Sequence, residues 1–392
     1  MTTMSKMRTY RGPALFSYGF RPFFLAGALY AGAVIPLWLS VFAGATSLPT
    51  VMIPRDWHVH EMLFGFVASI IAGFLLTAVP NWTGRLPIQG WPLAILFSSW
   101  IAGRLAVNFS GSVGWIAAMA LDAAFLLMLA GATAREIIAG RKWGNLKVVG
   151  IVNLLAATNI AFHLEAHFHG IAEYSTRFGI ALVVMLIGII GGRIVPSFTR
   201  NWLARQSPGR LPIPFSRFDA IAMVASGAAL LLWIIVPVGM AAAVLLAVAG
   251  ALQTIRLSRW AGYRTFPDRL VLILHVAYAF IPVGYFLAAL ASLGLVAESA
   301  GIHAWTGGAM GTMTLAVMSR ASLGHTGRLL AASFATQIIY AGVVVSALAR
   351  ICAALEPALA MAFLYISAAG WMVAFLGFAL AYGPLLCTLR KT

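Results

Sequence analysis

The chain is short of charge. Only 9% of its 392 residues are Asp, Glu, Lys or Arg, against roughly a quarter in a soluble domain. Acidic residues are the scarcest, ten against 26 Lys and Arg, for a formal net charge of +16. Cysteine is nearly absent. Cys352 and Cys387 lie late in apolar runs with no partner at metal-like spacing, which excludes a disulfide framework and leaves them as buried apolar side chains. Also missing are the apolar–polar alternation of half-buried strands and any linker long enough to hold a soluble domain.

What remains is apolar. Hydrophobic residues make up 61% of the chain and come in long runs, and a bilayer core needs ~20 such residues per helical span. Helices satisfy their own backbone polar groups in lipid, so the pattern predicts an all-α polytopic transmembrane bundle of about twelve spans. The expected spans are 17–41, 60–79, 91–109, 113–133, 146–168, 177–197, 219–236, 238–256, 270–293, 301–319, 329–352 and 357–388, in a single integral membrane domain of residues 1–392. The first run has span length, so it reads as a retained helix rather than a cleaved leader. Turn chemistry separates the runs, at Pro80-Asn81, Gly111-Ser112, Ser207-Pro208-Gly209 and Pro212-Ile213-Pro214.

Charge sorts by side. Twenty of the Lys and Arg fall in the tails and even-numbered loops, from Lys6, Arg8 and Arg11 to Arg390 and Lys391. Only Arg55, Arg177 and Arg350 fall on the opposite side, and Arg21, Arg104 and Arg193 lie within spans. That asymmetry predicts both termini in the cytoplasm. It makes the basic charge a topogenic and lipid-facing feature and excludes nucleic acid as a partner.

Placed on this topology, six of the eight histidines gather near the outer face on three spans. His58 and His60 open the second, His163, His167 and His169 close the fifth, and His303 opens the tenth. His275 lies near the inner face and His325 in the loop after the tenth span. Ionisable groups at membrane depth are costly and face a bundle interior, so a histidine cluster there is a candidate metal or haem site. His58 and His60 are two apart. Either one ligates and one caps, or the helix starts after His58 and both rings share a side. His163 shares a helix face with His167 and with Asn159 one turn below. Gly307 and Gly311 stand four and eight residues after His303, an arrangement that either packs helices closely or leaves a flat groove for a macrocycle beneath the ring. His275 reads equally as a packing residue, His325 as turn chemistry and His169 as a helix-end cap. Glu61 and Glu165 lie on the histidine side, and a carboxylate behind a ligating histidine fixes its tautomer. Arg104 and Asp122 flank a short loop and are placed to pair. An arginine beside a haem would hold its propionates.

Several stretches together resemble the NnrS family of bacterial membrane proteins: Gly19 through Phe24 (GFRPFF), Trp57 through Phe66 (WHVHEMLFGF), Gly73 through Thr77, Asn81 through Gly84, Gly191 through Trp202 (GGRIVPSFTRNW) and His303 through Arg328. The resemblance implies a haem- and copper-containing protein of the bacterial inner membrane, tied to nitric oxide, nitrosative stress and denitrification. Its matched histidines here are His58, His60, His163, His275, His303 and His325. With C-x-x-C-H absent, the haem expected is b-type. The resemblance does not say which histidine takes which cofactor. The glycine groove favours His303 for haem, leaving His58, His60 and His163 for copper or a second axial position, with Arg21, Arg104 and Arg193 as supporting cations. Nitric oxide, membrane lipid and a quinol or electron-carrier donor are the expected partners, and a nitric oxide reductase-like oxidoreductase the expected activity. A transporter of nitrosyl-iron or another small anion is the rival reading, drawn from the interruptions Gly191-Gly192, Pro196 and Pro282. A nitric oxide sensor is the third, weakened by the lack of a soluble output domain.

Overall fold

A computed structural model describes residues 10–206 and 208–389. Lys6, Arg8, Ser207, Arg390 and Lys391 lie outside the described residues. The protein is 81% helical, with no strand among the described residues. Among the described residues, ten helices are long and apolar enough to cross a membrane. They are α1 (Phe20–Phe42), α2 (Pro54–Thr83), α4 (Trp115–Ala139), α5 (Leu146–His169), α6 (Tyr174–Leu203), α7 (Arg217–Ile235), α8 (Met240–Ser258), α9 (Arg269–Ser292), α11 (Phe334–Leu355) and α12 (Ala360–Cys387). Helices also stand at the other two expected positions, α3 (Trp91–Asn108) and α10 (residues 298–325). The ends differ from expectation where caps act. Pro54 starts α2 six residues early, because proline suits the first helical position. His325, expected in a loop, is the last residue of α10.

The chain forms two compact units. The first holds the described residues up to Gly179 with Ala321–Arg328 and the chain from Phe378 on. Its central helix is α2, with 83% of its most apolar window buried, against 39% for α1. Small residues let α1 lie close to it: a Cβ at Gly27 would meet the Ser69 side chain, and one at Gly73 the ring of Phe24.

The second unit holds Ile180–Arg320 and Leu329–Gly377, and α9 is its central helix. Here small and large residues interlock. Gly284 receives the ring of Trp305, and Gly308 the ring of Phe280. Arg256 is fully buried and donates to Asp219, Tyr278 and the carbonyl of Gly188, tying α6, α7, α8 and α9 together. Large apolar side chains such as Ile116, Leu127, Val224 and Leu231 are exposed, as a lipid-facing surface requires.

Among the described residues, two segments inside longer helices widen into π geometry. Glu61–Val67 and Ala304–Gly311 are π-helical, and each begins immediately after a histidine, His60 in the first unit and His303 in the second. Insertions of this kind widen the helix and recur at functional sites.

Candidate metal centre

Because α2 is already helical at Pro54, His58 and His60 sit two residues apart on a helix and diverge. The shared-side arrangement is not formed. The His58 ring packs on Trp38, with centroids 4.5 Å apart, while His60 turns into the interior and is fully buried.

There it meets α4 and α5. Nε2 of His60 stands 3.0 Å from Asp122 Oδ2 and 3.0 Å from Asn159 Oδ1, and its Nδ1 stands 3.0 Å from Glu61 Oε1. Nε2 of His163 lies 3.3 Å from the same Asp122 Oδ2. Arg104 bridges the two carboxylates. Its Nη1 donates to Glu61 Oε1 at 2.5 Å and its Nη2 to Asp122 Oδ1. The second oxygen of Glu61 accepts from Tyr30, and Asn159 Nδ2 donates to Asp122 Oδ2 at 2.8 Å. Phe64 and Phe162 pack on the His60 ring, with centroids 5.2 and 5.3 Å away, and are themselves fully buried.

With His60 neutral this geometry has a deficit, which an imidazolium donating from both nitrogens would fill and a metal would fill as well. A neutral imidazole has one N–H and one lone pair. His60 faces acceptor oxygens from both nitrogens, so whichever is protonated, the other turns its lone pair on a carboxylate. A cation at Nε2 removes the conflict, because Nδ1–H then donates to Glu61 and the Nε2 lone pair has an acceptor. The carboxylate–histidine–metal arrangement works in this way. The charge count agrees: one guanidinium against two carboxylates leaves one negative charge in a dry interior, where charges must be compensated. His60, Asp122 and His163 each offer a ligand atom, all within 4.8 Å of one another. Two imidazole nitrogens and a carboxylate oxygen suit zinc, copper or iron. The residues present therefore fit a metal.

Sequence reasoning placed His60, His163, Glu61 and Arg104 near this centre, but it treated Asp122 only as a partner for Arg104 and Asn159 only as a neighbour of His163. The available signals were a lone acid in the apolar run of α4 and the Asn159–His163 spacing of one helical turn.

The remaining residues lie elsewhere. Glu165 accepts from the N–H groups of Glu173, Tyr174 and Ser175 and so caps α6. His167 stacks on Trp115 at 4.1 Å, and His169 is exposed beside Gly170, whose left-handed φ of 78° ends α5. Arg21 donates to the carbonyls of Leu385, Leu386 and Thr388, which makes it a cap for the last turn of α12. Arg193 is exposed. His325 packs between Tyr18 and Phe20. Thr199 spends its proton on the Val195 carbonyl, so His275 Nε2–H donates to it at 2.8 Å, and its Nδ1 lies against Gly262.

His303 belongs to the second unit. Its Nδ1 lies 2.7 Å from the carbonyl of Ser299, which fixes the tautomer with the lone pair on Nε2. The expected groove beneath it is half present. A Cβ at Gly307 would meet nothing within 4 Å, while one at Gly311 would fall 2.7 Å from the Trp371 ring. Glycine at 307 thus borders open space, and glycine at 311 is a packing contact.

An all-α membrane bundle with a buried His/Asp cluster whose donor atoms fit a metal is the class that this fold and centre define. The family model described as NnrS protein matches residues 14–390, and the chain belongs to that family. No curated protein and no solved structure matches it.

Proposed function

We propose that the protein is a metal-dependent redox protein of the bacterial inner membrane that binds nitric oxide and reduces it to nitrous oxide, in defence against nitrosative stress. The observation that carries this reading is the buried His60–Asp122–His163 cluster, which brings two imidazoles and a carboxylate within 4.8 Å of one another. Family membership supplies the link to nitric oxide.

On this reading copper is held by His60, His163 and Asp122, and haem b by His303. A bound transition metal supplies an open position for a diatomic ligand and a route for single electrons. The chain's own residues do the rest. Glu61 orients His60, Arg104 fixes both carboxylates, Asn159 aligns Asp122, and Phe64 and Phe162 keep water out. The overall reaction joins two nitric oxide molecules, two electrons and two protons to give nitrous oxide and water, with electrons from a quinol or a carrier. Twelve spans with both termini in the cytoplasm put the cluster and His303 near the outer face.

The transporter reading is disfavoured by the helices it relied on. Both α6 and α9 continue through Gly191-Gly192, Pro196 and Pro282 without a break. Discontinuous helices at a midplane site are what a transporter of that design needs.

The test is the purified protein, reduced and loaded with haem and copper. Nitric oxide loss is followed at an electrode and nitrous oxide by gas chromatography, for wild type, Asp122→Asn and His303→Ala. Turnover lost in both variants supports the reading. A loaded wild type that consumes no nitric oxide overturns it.

A further inference from the structure

Charge sorting leaves three arginines on the outer side, Arg55, Arg177 and Arg350. Two are spent on carboxylates: Arg55 Nη1 lies 3.3 Å from Asp56 Oδ1, and Arg177 Nη2 lies 2.8 Å from Glu173 Oε2. Arg350 is different. It is partly buried in α11 and makes no hydrogen bond or ion pair among the described residues. An arginine inside a span without an anion is costly, and such residues mark ligand or ion sites.

Its position follows from the packing of α10 on α11. The two helices run antiparallel: Ser319 meets Tyr340, and a Cβ at Gly311 would lie 3.6 Å from Val343. From that second contact His303 is eight residues back along α10, and Arg350 is seven residues on along α11. At the α-helical rise of 1.5 Å per residue the second is about 10 Å, and the π-helical Ala304–Gly311 brings the first below the ~12 Å of an α-helix, so the two residues share a level. Val343, Ala347 and Arg350 follow the i, i+4, i+7 stripe of one helix face, and the first two are fully buried. Gly307, with open space at its Cβ position, lies one turn from His303 on the way to that contact. A histidine of fixed tautomer, a glycine bordered by open space and a guanidinium with no anion beside it therefore stand at one level of the second unit.

A guanidinium in such a place is matched by a carboxylate, which it binds through two parallel N–H···O bonds. We propose that Arg350 anchors a carboxylate of the ligand seated on the Gly307 face and that, resting on the reading of His303 as an axial ligand, this carboxylate is a haem propionate. Of the arginines expected to support a haem, Arg104 and Arg21 are already engaged by protein groups and Arg193 is exposed; Arg350, which was not among them, is partly buried with its donors unspent.

The experiment uses full-length protein in detergent, reconstituted with haem b or with its dimethyl ester, whose propionates carry no charge. Two quantities are read: Soret absorbance per chain, and the rate of haem transfer to an excess of a haem-binding acceptor. Arg350→Ala is expected to lose haem b at least tenfold faster than wild type, with Arg350→Lys intermediate, in line with a charge-assisted hydrogen bond. Wild type loaded with the dimethyl ester should lose it as fast as Arg350→Ala does. Equal rates of haem b loss from wild type and Arg350→Ala would overturn the proposal while leaving His303 as a ligand. Undiminished haem in His303→Ala, or a wild type that takes up none, removes the axial-ligand reading and this proposal with it. Thermal melting of each variant separates haem loss from unfolding, and Arg350→Gln replaces the alanine if that variant does not fold.

Discussion

Nε2 of His60 and Oδ2 of Asp122 stand 3.0 Å apart, while Glu61 holds the other ring nitrogen of the same histidine. Two carboxylates thus close on one imidazole from opposite edges, an arrangement that a metal ion at Nε2 or a second ring proton would satisfy. Elemental analysis of the purified protein should find a non-haem metal in wild type and background levels of it in His60→Ala, His163→Ala and Asp122→Asn. Glu61→Gln should weaken metal affinity by about 10- to 100-fold without abolishing it, because it removes the orienting group and not a ligand. Metal at the wild-type level in Asp122→Asn would rule the cluster out.

Arg104 is the only cation bonded to this pair of buried carboxylates among the described residues. Removing it by Arg104→Met leaves two buried negative charges with one guanidinium missing, and breaking a buried pair in this way costs about 3–5 kcal/mol. Thermal melting in detergent should register that loss. The double variant Arg104→Met/Glu61→Gln should recover part of it, since it also removes one of the stranded charges.

Much of this was legible in the sequence, for identifiable reasons. Span-length apolar runs and the lopsided arginines announced an all-α membrane protein. The WHVHEMLFGF and His303–Arg328 stretches announced the family. The centre was only partly legible, because ligands that converge from α2, α4 and α5 leave no spacing signature. Asp122 and His163 are 41 residues apart and meet only through helix packing. The sequence left open whether the rings of His58 and His60 share a side or diverge, and Pro54 decided it by starting the helix early enough to send them to opposite sides. Neither π segment could be foreseen from residue pattern.

That divergence gives a sharp comparison between neighbours. His58→Ala should retain wild-type metal, because its ring packs on Trp38 outside the cluster. Loss of metal in His58→Ala equal to that in His60→Ala would mean that the two rings act together after all.

The two glycines below His303 should also part company. Gly307→Ala meets open space and should leave the melting temperature nearly unchanged. Gly311→Ala drives a methyl to within 2.7 Å of the Trp371 ring and should cost about 1–3 kcal/mol. The same contrast tests the haem reading. Gly307→Leu fills the gap, so it should lower haem content while the protein still melts cooperatively. Haem content unaffected by a leucine at 307 would place the macrocycle elsewhere.

The orientation in the membrane carries its own prediction. The segment between α6 and α7 holds Arg205 and Arg210, whereas the turn between α9 and α10, residues 293–297, carries no charge. If positive charge sets the topology, a fluorescent protein inserted in the first should glow, and alkaline phosphatase inserted in the second should be active, because each reporter works on one side only. The histidines follow the answer. With this orientation His60, His163 and His303 lie near the outer face, where a small neutral gas reaches them from lipid or periplasm, while a donor at the inner face must pass electrons across the bilayer. The opposite reporter pattern would turn the cluster toward the cytoplasm and make a cytoplasmic electron carrier the simpler donor.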